Sequence, residues 1–129
     1  RKFLADGRGS SDVVARAAGR GQPVRAVGSG HSFTDCACTD GVMIDMTGLQ
    51  RVISVDKANG LATVQGGAKL HPLFAELAAH GFGIENQGDI DKQSITGATA
   101  TATHGTGARF KNVSAQIVSA RLVTATGEV

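Results

Sequence analysis

Arg25–Asp35 reads R-A-V-G-S-G-H-S-F-T-D, and the fold is decided by how this stretch is read. Val24 to Val27 alternates apolar and polar side chains and then dissolves into Gly28-Ser29-Gly30, so a strand passes directly into a glycine loop. Consecutive main-chain N–H groups at such a turn form a nest that binds anions such as a pyrophosphate. The pattern is not the dinucleotide fingerprint, which needs G-x-G-x-x-G opening a helix and an acidic residue about 20 positions on. Here the third glycine is missing and a second strand follows. Two glycines at a strand end are also what a plain turn uses, so the loop alone leaves both readings open.

Outward from this loop the chain alternates between short strands and helices. On the N-terminal side, Asp12 to Ala18 reads as a helix with Ser10 or Ser11 as N-cap, Val13, Val14 and Ala17 or Ala18 as its buried face, and Gly19 and Gly21 as its stop. Beyond the loop, Val42 to Met46, Val52 to Val55 and Leu61 to Gln65 are strand-like, and the Asn59-Gly60 turn makes the last two a hairpin. Leu70, Leu73, Phe74, Leu77 and Ala78 recur at helical spacing, with Gly81 and Gly83 ending that helix. Ile117 to Thr124 alternates again and reads as a strand before the Gly127 turn. The order predicts an α+β fold with a mixed sheet and flanking helices, without internal repeats.

Between these elements, Gly88 to Gly107 is small, polar and glycine-rich, and reads as a long loop from which a conventional core cannot be built. Small side chains let main-chain amides approach a ligand, and Ser94, Thr96, Thr99, Thr101 and Thr103 offer hydroxyls to phosphate or ribitol oxygens. A long loop inside a compact domain is usually functional or disordered; the strong flanking elements disfavour disorder, so an extended anionic cofactor site is expected here.

Bulk properties narrow the classes. At 129 residues, 41% hydrophobic and 19% charged, the chain suits one folded domain. Glycine, at 18 residues, is about double its average usage. A net charge of +2 without a basic run, and five Phe with no Trp or Tyr, argue against nucleic acid as a partner. No stretch reaches the roughly 18–20 apolar residues of a membrane span, and the start (Arg1, Lys2, Phe3, Leu4, Asp6, Gly7) lacks an apolar signal region. Cys36 and Cys38 form a lone C-x-C pair that matches neither zinc nor redox spacing; they are read as two reduced thiols, pointing to one face if the segment is extended. The expectation is a soluble, cytoplasmic chain with no metal site.

Together, RAVGSGHSFTDCACTDGVMIDMTGL and ENQGDIDKQSITGATATATHGTG closely resemble the vanillyl-alcohol-oxidase-type (PCMH-type) flavoprotein family, in particular its aldonolactone branch of gulonolactone and arabinonolactone oxidases and dehydrogenases, with alditol oxidases nearby. The likeness runs from about Val24 to Val129. It implies FAD as cofactor, a sugar lactone or polyol as substrate, and oxygen or another acceptor for the electrons. It assigns His31 the covalent 8α-histidyl bond to the flavin, and Gly28, Ser29, Gly30 and Ser32 the wrapping of the pyrophosphate. By the same resemblance Asp89, Ser94, Gly97, Ala98 and Thr99 line the flavin and its phosphates, with Thr103 and His104 close behind.

Gly88 matches a position where a small residue governs oxygen access in that family; otherwise it simply ends a strand. The competing roles are a His31 that only hydrogen-bonds its loop or holds FAD without a bond, and a structural His104. His71 and His80 read as solvent-facing and receive no role. No catalytic base is named. The first 23 residues lack the family's leading strand and its Pro-Ser start to the first helix. The family's substrate domain would lie beyond Val129, so residues 1–129 read as the FAD-binding domain of a longer parent, inactive alone, and any membrane association would have to come through missing parts. The rival from another class is a truncated, non-catalytic flavin- or nucleotide-binding module. A noncovalent enzyme of the peptidoglycan-precursor reductase type shares the architecture, but the histidine of G-S-G-H-S argues against it.

Overall fold

A computed structural model describes residues 9–129 and the backbone of residues 2–4. The opening residues Arg1, Asp6 and Gly7, read above as lacking a signal region, lie outside the described residues. Three strands, β1 (Lys2–Leu4), β2 (Val24–Val27) and β3 (Val42–Asp45), form a parallel sheet with β3 in the centre. Lys2 pairs with Met43, and Val24 to Val27 pair in register with Val42 to Asp45. β1 is thus a leading strand, which corrects the expectation that the first 23 residues lack one. Three residues are too few to show an alternating pattern, and pairing with a buried central strand supplies what the local sequence does not.

Helix α1 (Gly9–Ala18) joins β1 to β2. It starts earlier than expected, so Ser10 and Ser11 lie inside its first turn and neither is the N-cap; the Ser11 hydroxyl instead donates to the carbonyl of Gly127. Ala17 packs with Val42, Ile44 and Leu49, and Val13, Val14, Val24 and Met46 close this first core cluster. Asp45, buried at the end of β3, caps the 3₁₀ turn Met46–Gly48 by accepting from Thr47 N–H at 2.9 Å.

β4 (Val52–Asp56) and β5 (Leu61–Val64) form the expected antiparallel hairpin, separate from the parallel sheet. Its turn is organised by Asp56, whose carboxylate accepts from Ala58 N–H, Asn59 N–H and Asn59 Nδ2, while Gly60 takes φ +67°. These bonds, the Asn59 side chain first, hold the Asp56 carboxyl below its ordinary range.

Helix α2 (Leu70–Ala79) buries Leu70, Leu73 and Leu77 as its spacing requires. Its first amides need no side-chain cap, because Leu70 N–H and His71 N–H donate to the carbonyls of Gln93 and Asp91, both at 2.9 Å. At its other end Gly81, at φ +84°, lets Phe82 N–H return to Leu77 O.

Two expectations are corrected. Within the polar segment, Ile95–Ala100 forms a short helix, α3, capped by Ser94, and Ile95 and Ala98 join Ala68, Leu70, Leu73, Leu77 and Val113 in a second core cluster. Small residues build core after all, because a helix seated close to its neighbour needs little side-chain volume. Ile117 to Thr124 is not a strand. Among the described residues no strand pairs with it, and Val118 and Leu122 are about three-quarters exposed, so alternation had no ladder to support it.

The turn before α2 rests on Gly67, where a Cβ would overlap the carbonyl oxygen of Met46. Gly67→Ala should therefore destabilise the domain by about 1–3 kcal/mol or more, comparable to Leu70→Ala at about 2–5 kcal/mol. Urea unfolding monitored by circular dichroism reads both, and a Gly67→Ala midpoint equal to wild type would contradict this packing.

Candidate flavin site

Parallel pairing of β2 with β3 requires the chain to travel back along the sheet before re-entering it, which takes a dozen or more residues. Residues 28–41 make this crossover as turns and bends without a helix, so the G-S-G-H-S loop stands at the carboxyl end of β2. In α/β sheets with parallel strands, ligands collect at that edge.

The two expected loops meet there. A Cβ on Gly28 would overlap Ser94 Oγ, so the first loop lies directly against the residue that caps α3. Ser94 is buried and its hydroxyl accepts from Gly97 N–H at 3.3 Å; its backbone also bridges to Lys69 at the start of α2. Next to this junction a cleft of about 470 Å³ is lined by Ser29, His31, Lys69, His71, Pro72, Asp91 and Lys92. Ser29 Oγ and His31 Nδ1 are both buried there without a hydrogen-bond partner. Leaving such a group unsatisfied costs about 1–3 kcal/mol each, which is tolerated where a ligand completes the bonds. The His31 ring is braced edge-on by Phe33 at 5.8 Å, a residue 87% exposed and held at φ +53°. That left-handed backbone at a non-glycine residue is the kind of strain found at ligand-holding loops. Gly30, at φ +72°, and Ser32 occupy the exposed part of the loop.

The remaining expected residues divide. Gly88 packs against Thr103 and His104, where a Cβ would meet the Thr103 methyl at 2.9 Å. Asp89 is exposed beside them. Thr103 Oγ1 accepts from Gln93 Nε2 at 3.4 Å, and His104 Nδ1 donates to the Gly105 carbonyl at 2.8 Å. Ala98 is fully buried in the core, so its methyl supports the site from beneath instead of lining it. Thr99 donates to Thr96 O, and its own carbonyl accepts from Ser114 Oγ. Thr96 and Thr101 likewise give their hydroxyl hydrogens to the carbonyls of Gly66 and Gly97. Donation to phosphate from these three threonines would have to displace main-chain bonds, leaving backbone amides as the available donors.

Lys69 and Asp91 carry no signal in the sequence, and His71 reads there as solvent-facing and without a role. They share the His31 cleft because α2 starts against residues 91–93, a juxtaposition that no local motif encodes. Cys36 and Cys38 are free and exposed on the crossover, whose bends end any common face. Hydrogen bonding, from Thr34 first and Ser32 second, draws the Cys36 thiol below its usual value. Among the described residues no group of three His, Cys, Asp or Glu could hold a metal ion, and no helix is long and apolar enough to cross a membrane. A larger groove, about 630 Å³, runs between β4 and α2 past Asp56, Glu76 and His80, away from both glycine loops.

Because Gly28 touches Ser94, Gly28→Ala should push the two loops apart and weaken FAD binding about tenfold or more, with the core intact. Adding Ser94→Ala removes the opposing oxygen at the cost of a helix cap, about 1 kcal/mol, and should restore part of the affinity. Flavin fluorescence quenching measures both; strictly additive losses would show that the contact does not position the loops.

Comparison with known proteins places the chain in a family. The profile of the FAD binding domain matches residues 9–129. The chain is 73% identical over 119 residues to L-gulono-1,4-lactone dehydrogenase of Mycobacterium tuberculosis, covering 92% of this chain and 28% of that protein. It is 37% identical to L-gulonolactone oxidase of Mus musculus, covering 92% and 27%. The solved structure of Physcomitrella patens BBE-like 1 variant D396N superimposes with a TM-score of 0.85 at 27% identity, over 98% of this chain and 28% of that one. The chain thus spans little more than a quarter of these relatives. With its two glycine-bearing loops joined at one sheet edge, it belongs to the FAD binding domain family, of the PCMH type that its motifs led one to expect.

Proposed function

We propose that this chain supplies the flavin site of an aldonolactone oxidoreductase, with His31 bonded covalently to the FAD. The observation that carries the reading is that two buried polar atoms without a partner, Ser29 Oγ and His31 Nδ1, belong to residues that line one cleft beside the Gly28–Ser94 junction. A nest of amides at 28–30 suits a pyrophosphate, and an imidazole with a free nitrogen suits attachment. Lactone chemistry is favoured by the gulonolactone-oxidising relatives. When bound, FAD supplies the two-electron chemistry, taking a hydride from a hydroxyl-bearing carbon of the lactone or polyol.

The chain's own residues bind and orient. Main-chain amides at Gly28, Ser29 and Gly30 would hold the diphosphate and His31 would anchor the flavin, while Ser94 and Gly97 would keep the opposite loop close. Asp89, Thr99, Thr103 and His104 would flank the cofactor. Among the described residues none is assigned to holding the sugar or to acting as the base for its oxidation.

Purified chain should be yellow, and the flavin should remain with it after acid precipitation. His31→Ala should lose the acid-stable flavin while keeping wild-type circular dichroism, since the change leaves the core untouched. Complete release of flavin from wild type on precipitation would remove the covalent assignment.

Gly88 is assigned to oxygen access. In the parent enzyme Gly88→Ala should slow reoxidation of the reduced flavin by oxygen about tenfold or more in stopped-flow, leaving reoxidation by an artificial acceptor unchanged. Equal slowing with both acceptors would mean that the added methyl only disturbs Thr103.

A further inference from the structure

His71, the second residue of α2, is held by one partner through two bonds. Its Nδ1 lies 2.6 Å from Asp91 Oδ2, and its main-chain N–H donates to the Asp91 carbonyl at 2.9 Å. Lys92 Nζ sits 3.3 Å from the other carboxylate oxygen. The hydrogen bond from His71, and after it Lys92, keeps the Asp91 carboxyl below its ordinary range, so Asp91 is an acceptor only. A proton on His71 Nδ1 satisfies that contact, which leaves Nε2 as the ring nitrogen that could accept another. The same cleft contains His31, whose Nδ1 has no partner, with Lys69 and Lys92 as its cations.

We propose that His71 is the proton acceptor for attachment of His31 to the flavin, with Asp91 the positioning residue that fixes its tautomer and steadies its charged form. This rests on the covalent reading above. In the step, an imidazole nitrogen of His31 forms a bond to the 8α carbon, while one C–H bond of the 8α methyl and the imidazole N–H bond break. The methyl proton is released to solvent, two electrons enter the isoalloxazine and then pass to dioxygen, and dioxygen takes up two protons from solvent and leaves as hydrogen peroxide. The proton from His31 goes to His71 Nε2 and on to solvent.

The test follows attachment in time. Protein made in riboflavin-starved cells is mixed with FAD in air, and the flavin that stays with the acid-precipitated chain is measured. His71→Ala should attach flavin about a hundredfold more slowly, the usual scale for loss of a general base, while still binding FAD as judged by fluorescence quenching. Free imidazole should restore much of the rate. His71→Gln, which can still donate to Asp91 but has no basic nitrogen, should be as slow, and Asp91→Asn should be slowed less. Attachment by both His71 variants at the wild-type rate, or slow attachment that imidazole does not relieve, would overturn the proposal. A wild-type chain that never gains acid-stable flavin would instead remove the covalent reading, and this proposal with it.

Discussion

Parallel pairing of β2 with β3 is the constraint on which the rest depends. Two strands running the same way cannot be joined by a tight turn, so residues 28–41 must cross over: Gly28 to Gly30 leave β2 at the carboxyl end of the sheet, and Gly41 returns beside Pro23 at its other end. A helix would have spent the amides of that segment on internal bonds. Turns and bends keep the amides of Gly28, Ser29 and Gly30 out of any helical ladder, and the glycines permit backbone geometry and contact that side chains would block.

The second segment answers the first. α3 is short and built of Ile, Thr, Gly and Ala, so it can sit close enough for its cap, Ser94, to touch Gly28. Its inner face, Ile95 and Ala98, is the roof of the core cluster under α2, which couples the position of the loop to the packing of Leu70, Leu73 and Leu77. α2 in turn takes its first two hydrogen bonds from residues 91 and 93, tying the helix that carries His71 to the segment that carries Asp91. The site is therefore a meeting of three backbone ends more than a collection of side chains.

Most of the framework was legible because it rests on local signals. The hairpin declared itself through β-branched runs around Asn59-Gly60, and α2 through its apolar spacing. What was not legible has a common cause: it depends on contacts distant in sequence. β1 is three residues long and exists through its pairing with β3. Ile117 to Thr124 alternates convincingly, yet alternation without a neighbouring strand leaves its amides to solvent or to turns. α3 was hidden because Thr and Gly interrupt its short apolar pattern, and only its packing on the second core cluster makes Ala98 a buried residue. In the site, the glycines and His31 stood out by motif, whereas Lys69, His71 and Asp91 join it through the packing of α2 alone.

The threonines of α3 have a consequence for how this surface can vary. With Thr96, Thr99 and Thr101 spending their hydroxyl hydrogens on carbonyls of their own fold, exchange for another small residue alters little that faces outward. A single methyl at Gly28 or Gly105, by contrast, meets an oxygen atom head-on. Divergence along this edge is thus limited by volume and hardly at all by polarity: its chemical alphabet is wide, its steric one nearly closed.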